Sequence, residues 1–163
     1  MVEMTSADLD PVSVSEPLHY TGYLFRRAQQ VHVAAWQRHV SATVSSVQFG
    51  VLTVIDASPG ASQNDLCDEL DLDRSTIADL VSRLERNGMI ERERDDADRR
   101  RNRLRLSEQG RQTLDELRPR AERVEQVLTD SLEPDERRAL RALLVKVLRT
   151  HRPNGEPGAP PER

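Results

Sequence analysis

Residues 72–110 read LDRSTIADLVSRLERNGMIERERDDADRRRNRLRLSEQG, and this stretch decides the fold. Asp73 is a good helix N-cap, and Ile77, Leu80, Val81 and Leu84 follow at i, i+3, i+4 and i+7, the spacing of one apolar stripe on a helix. Gly88 supplies the stop. Two strand-like stretches come next, MIERER and RNRLRLS, joined by DDADRR. In the second, Leu104 and Leu106 alternate with Arg103 and Arg105, the period of two expected of a half-buried strand. Ser107 can then cap another long helix.

Working outward, Ser62 caps a short helix, SQNDLCDEL, joined to the Asp73 helix by a tight connection. Before it, Ser45 or Ser46 can cap a helix containing Phe49, Leu52 and Ile55, which ends before the Pro59-Gly60 turn. A long helical pattern fills Leu18 to Val40. After Ser107 the helix is expected to run to Leu132 with a kink at Pro119. Pro134 opens a last helix whose Leu140, Leu143, Leu144, Val147 and Leu148 share one stripe. Two short helices joined by a tight turn and followed by a basic hairpin describe a winged helix-turn-helix over about residues 46–106. The fold class is mainly α with a small β-hairpin wing, flanked by terminal dimerisation helices at about 18–40 and 107–151. Residues 1–17 and the Pro- and Gly-rich 152–163 read as disordered tails, leaving a single domain over 18–151.

Composition narrows the function. The 163 residues contain no apolar run near the roughly 18 that span a bilayer, and the N-terminus lacks the basic-then-apolar order of a signal peptide. With one cysteine, Cys67, there is no intramolecular disulfide, and a reducing cytoplasm is the expected compartment. Net charge is −4, yet Arg99 to Arg105 read RRRNRLR, five arginines in seven residues without an acid. Phosphate binding depends on where charge sits, so a local patch serves on an acidic chain. The 3% aromatics (Tyr20, Tyr23, Phe25, Trp36 and Phe49) all fall in the first third.

The helix from Arg74 to Arg86 carries Ser75, Thr76, Asp79, Ser82 and Arg83 opposite its apolar stripe. Ser and Thr near a helix N-terminus reach phosphates or base edges, with backbone N–H groups helping to hold phosphate. Arg83 is long enough for a guanine or a phosphate; Asp79 either accepts from a cytosine amino group or holds Arg83 at i+4. An ordinary amphipathic helix with a solvated face would look the same. The hairpin separates the two, because its tip would set Asp98, Arg99, Arg100 and Arg101 beside this helix. An arginine there enters a narrow minor groove, and Asp98 can orient Arg100. The partner so described is double-stranded DNA.

At these residues the chain resembles the MarR family of multiple-antibiotic-resistance type regulators. The resemblance rests on Ser75-Thr76-Ile77, Arg83-Leu84-Glu85, Gly88-Met89-Ile90, Asp98-Arg99-Arg100 and Leu106-Ser107…Gly110, and the helix order matches from about residue 18 to 150. Ser107 in place of the family's Thr is a mild departure. Asp79 departs from the basic or amide residue frequent at that position, which puts the usual base contact there in doubt. The resemblance implies a homodimer joined through the terminal helices, and their apolar stripes fit that, since a lone winged helix has no need of them. A two-fold protein presents two reading helices about one DNA turn apart, so the operator is expected to be a pseudo-palindrome.

The first helix holds Tyr23, Phe25, Arg26, Gln29, His32 and Trp36; on a helical wheel Phe25, Gln29, His32 and Trp36 share a flank, with Arg26 about 100° away. An aromatic wall, a guanidinium and an imidazole suit a small aromatic carboxylate. The segment GYLFRRAQQVHVAAW also resembles the subgroup that answers to such acids, including protocatechuate-responsive repressors. That resemblance implies ligand contacts at Arg26 and His32. The plainer alternative makes Phe25 and Trp36 dimer core and His32 a satisfied interface residue. Two other readings are weaker: a thiol redox sensor at Cys67, which has Asp65, Asp68 and Glu69 nearby where a reactive thiolate needs cations, and a helical scaffold, which leaves the arginine hairpin without a purpose. No histidine pair or C-x-x-C has metal-ligand spacing, and no nucleophile elbow, phosphate loop or H-E-x-x-H is present; no cofactor, metal site or catalytic residue is expected.

Overall fold

The structure, a computed structural model, describes residues 16–94 and 102–150. A short 3-10 turn, Glu16–His19, leads into six helices and one hairpin: α1 (Thr21–His39), α2 (Ser46–Ala57), α3 (Gln63–Leu70), α4 (Arg74–Arg86), β1 (Ile90–Arg94), β2 (Asn102–Leu106), α5 (Glu108–Leu128) and α6 (Pro134–Thr150). The winged helix-turn-helix order is therefore present, with β1 and β2 antiparallel and Ile90 opposite Leu106.

Four helix starts follow from side-chain caps. Ser45 and Ser62 form capping boxes with Gln48 and Asp65, while Asp73 and Ser107 accept from the backbone N–H groups of Thr76 and Gly110. Each satisfies a donor that the first turn would otherwise leave unpaired. Asp71, in the left-handed region at φ 54°, closes α3 and makes the connection to α4 tight.

The core sits between α2, α3, α4 and the hairpin. Leu52, Leu66, Ile77, Val81, Leu84 and Leu104 are fully buried, so the α4 stripe and the inward face of β2 both turn into the core as their periodicities require. Residues 60 and 61 join the hairpin edge: Gly60 N–H donates to the Leu104 carbonyl (2.9 Å), and Leu104 N–H donates to that of Ala61 (3.0 Å). From α1, Trp36 closes the same core. It is 6% exposed, packs on Phe49 with ring centroids 5.3 Å apart, and donates Nε1–H to the Val44 carbonyl at 2.7 Å.

One expectation changes at α5. The helix runs through Pro119 as one element, and it ends at Leu128 rather than Leu132. The end is set at Thr129, whose backbone leaves the helical region (φ −118°, ψ 15°) while its hydroxyl donates to the Glu125 carbonyl. The last helix, α6, buries none of its residues: Leu143 and Leu148 are 61% and 63% exposed. Leu140, Leu144, Val145 and Val147 are exposed beside them, as are Leu18 and Leu24 at the other end of the chain.

The exit of α4, the base of the hairpin and the start of α5 converge on one joint. Gly88 turns with φ +70°, Ser107 donates its hydroxyl to the Gly88 carbonyl (2.5 Å), and Ser107 N–H donates to the Met89 carbonyl (3.1 Å). Gly110 lies so close that an added Cβ would stand 1.9 Å from the Met89 oxygen. Backbone meets backbone there, so neither side can move away cheaply. Gly110→Ala is therefore expected to destabilise the protein by at least about 2 kcal/mol, read as a lowered urea midpoint in equilibrium unfolding. An unchanged midpoint would mean the joint is looser than described.

Candidate nucleic-acid interface

Because Ile77, Val81 and Leu84 are buried, the opposite face of α4 is turned outward. Arg74, Ser75, Asp79 and Arg83 are exposed on it, whereas Thr76 and Ser82 are half-buried. The hairpin follows α4 directly, and two ion pairs hold it in shape. Arg92 Nε reaches Glu85 Oε2 on α4 at 2.8 Å, and Arg105 Nε reaches Glu93 Oε2 across the hairpin at 2.8 Å. Exposed pairs of this kind contribute about 0–1 kcal/mol, so their consequence is orientation more than stability. Asp98, Arg99, Arg100 and Arg101 lie outside the described residues.

Asp73 closes the first turn of α4 as its N-cap. It accepts Thr76 N–H at 2.9 Å, and both neighbouring hydroxyls donate to it, Ser75 Oγ to Oδ1 and Thr76 Oγ1 to Oδ2, each at 2.5 Å. These bonds, first the one from Ser75 and then those from Thr76, hold the Asp73 carboxyl well below the usual carboxylate range. A turn later, Arg83 Nη2 meets Asp79 Oδ2 at 2.7 Å, with both side chains more than half exposed. Of the two roles open to Asp79, the bracing one is formed in the free protein.

The residues on α1 divide. His32 and Gln29, with Phe25, line an open cleft of about 690 Å³ whose other wall is Leu144, Val147 and Leu148 of α6. Tyr23 and Arg26 are exposed outside that lining, and Trp36 is a core residue with its donor already engaged. The His32 and Trp36 rings are 6.1 Å apart, so His32 spans from the core edge to the cleft. Cys67 is buried on α3 within the core. No described helix is long and apolar enough to cross a membrane.

Three contacts went unread in the sequence. Asp73 was recognisable as a cap but not as the acceptor of two hydroxyls. Glu85 lay in a motif without a partner until β1 folded back on it. Arg118 on α5 reaches Asp56 on α2 at 2.5 Å, across 62 residues, tying the long helix to the helix-turn-helix. No local spacing signals pairs this far apart along the chain.

An α4 with its polar face outward and an arginine-bearing hairpin at its exit define a winged helix-turn-helix of the DNA-reading class. The sequence profile of the MarR family matches residues 42–101. The chain is 32% identical over 147 residues to the HTH-type transcriptional repressor NicR of Pseudomonas putida, covering 88% of this chain and 91% of that protein. Among solved structures, it is similar to the PcaV transcriptional regulator of Streptomyces coelicolor in complex with its natural ligand (36% identity, TM-score 0.81, 85% of this chain and 98% of that one). It is also similar to Bordetella bronchiseptica BpsR, whose DNA binding is regulated by 6-hydroxynicotinic acid (32% identity, TM-score 0.70, 77% and 96%). The chain belongs to the MarR family, and it is a transcriptional regulator rather than an enzyme.

Asp73 makes a pH prediction. Its carboxyl titrates lower in the folded chain than in the unfolded one, so its contribution is present above the unfolded value, about 4, and is lost as pH falls below it. Asp73→Ala should lower Tm at pH 7, and the gap to the parent protein should close as pH is taken below about 4. A gap that is constant with pH would show that the carboxylate charge is not what caps α4.

Proposed function

We propose that this protein is a cytoplasmic dimeric repressor that binds a pseudo-palindromic operator and is released from it by a small aromatic carboxylate. The observation that carries the DNA reading is α4 itself, with its apolar stripe buried and Ser75, Asp79 and Arg83 outward beside the hairpin. Arg74, Ser75, Thr76, Ser82 and Arg83 would face the major groove, while Asp98, Arg99, Arg100 and Arg101 would approach the minor groove. The dimer reading rests on α6, since a 17-residue helix with an unburied leucine and valine face needs a partner, and a second copy of the same face is self-complementary.

Support for the effector comes from BpsR, a relative regulated by 6-hydroxynicotinic acid, and from the His32, Gln29 and Phe25 cleft. Arg26 would supply the cation for the carboxylate and His32 a hydrogen bond, with Tyr23 at the rim and Trp36 behind as a fixed wall. The mechanism is a population shift. Ligand between the dimer helices and the winged domain favours a spacing of the two reading helices that no longer fits successive major grooves. Tenfold loss of DNA affinity requires only about 1.4 kcal/mol of differential binding.

Fluorescence anisotropy on the duplex upstream of the protein's own gene, beside a scrambled duplex at near-physiological salt, tests the regulator. Affinity for the native duplex is expected to exceed the scrambled one by about 10³ or more. Equal, weak binding to both would count against autoregulation. In the same assay 4-hydroxybenzoate, protocatechuate or 6-hydroxynicotinate should weaken operator binding at least tenfold. Arg26→Ala should abolish that response while leaving DNA affinity in the absence of acid within about threefold. A response that survives in Arg26→Ala would move the carboxylate site elsewhere.

A further inference from the structure

Resting on the regulator reading above, we infer that Asp79 is a specificity-determining positioning residue: it fixes the Arg83 guanidinium as a neutralised fork that reads a guanine edge in each operator half-site and does not clamp phosphate. Two observations carry this. Asp79 and Arg83 lie one turn apart on the outward face of α4, and Asp79 Oδ2 holds Arg83 Nη2 at 2.7 Å although both side chains are more than half exposed. The acid also precedes the base at i, i+4, the favourable order along a helix.

The chemistry follows from charge and geometry. A guanidinium alone is attracted to the phosphate backbone and releases a counterion when it binds there. The guanidinium and its carboxylate together carry no net charge, so that attraction is largely cancelled. What remains is directional. One Nη2 hydrogen goes to Asp79, leaving the other Nη2 hydrogen and one on Nη1 as a pair of donors in one plane. That is the arrangement which fits O6 and N7 of guanine together. The same carboxylate, standing on the reading face, raises the cost of any register that brings Arg83 against a phosphate. Asp79 thus lowers general affinity for DNA and increases discrimination, a trade made by many specific binders.

The test is selection of duplexes from a randomised library by the full-length parent protein, Asp79→Asn and Arg83→Ala, followed by anisotropy on the selected duplexes over a range of salt. Thermal unfolding should be unchanged, since both side chains are at the surface. The parent is expected to select a two-fold motif with one guanine per half-site that depends on Arg83. Asp79→Asn should retain the motif, lose roughly tenfold of its preference for that guanine, bind all duplexes more tightly, and steepen log K against log salt by about one per protomer. Arg83→Ala should lose the guanine preference. Undiminished guanine preference in Asp79→Asn would overturn the inference. So would a guanine preference retained in Arg83→Ala, because Arg83 would then not be the reader. Selection of no motif by any of the three proteins would overturn the regulator reading and this inference with it.

Discussion

The structure depends on a joint only a few atoms wide. Where α4 ends, Gly88 turns the chain, and the Gly88 and Met89 carbonyls are taken by Ser107 from the far end of the hairpin. Gly110 then lets the first turn of α5 close against Met89, an approach that no side chain would permit. The reading helix, the base of the wing and the long helix leading toward α6 are thereby fixed to one another through backbone. Movement of α5 must be felt by α4. That coupling is what a regulator needs if events at the dimer helices are to reach DNA, and the Arg118–Asp56 pair adds a second strap between α5 and α2.

The charge distribution follows the same division of labour. A net charge of −4 would oppose DNA binding if it were spread evenly. Instead Glu85 is turned toward Arg92, Glu93 toward Arg105, and Asp79 toward Arg83, so acids near the reading surface act as braces for arginines. Asp73 is engaged by its own hydroxyl neighbours.

Much of this was legible in the sequence because it is local. The caps at Ser62, Asp73 and Ser107 each sit three residues before the amide they accept from, and the alternation in RNRLRL and the i, i+3, i+4 spacing in α4 are periodic signals. Even the unburied stripe of α6 was visible as a surplus of leucine. What escaped is non-local or concerns depth. A helical wheel places Trp36 on the flank with His32 but cannot say that Val44, eight residues on, returns to accept its indole N–H and draw it into the core. The end of α5 at Leu128 is of the same kind, set at Thr129 where the periodic pattern gives no stop signal. Gly110 was noticed as part of a motif, but only the approach of Met89 explains why it must be glycine.

The central claim is that one chain is half of the reading unit, because only a fixed pair of α4 helices can measure the spacing of two half-sites. Sedimentation equilibrium of the full chain without DNA, at about 1 μM and near-physiological salt, tests it most directly. A single species at twice the chain mass of 18.5 kDa is expected. A species at 18.5 kDa that does not change with concentration would contradict it, leaving the α6 face without an occupant and the two reading helices without a ruler.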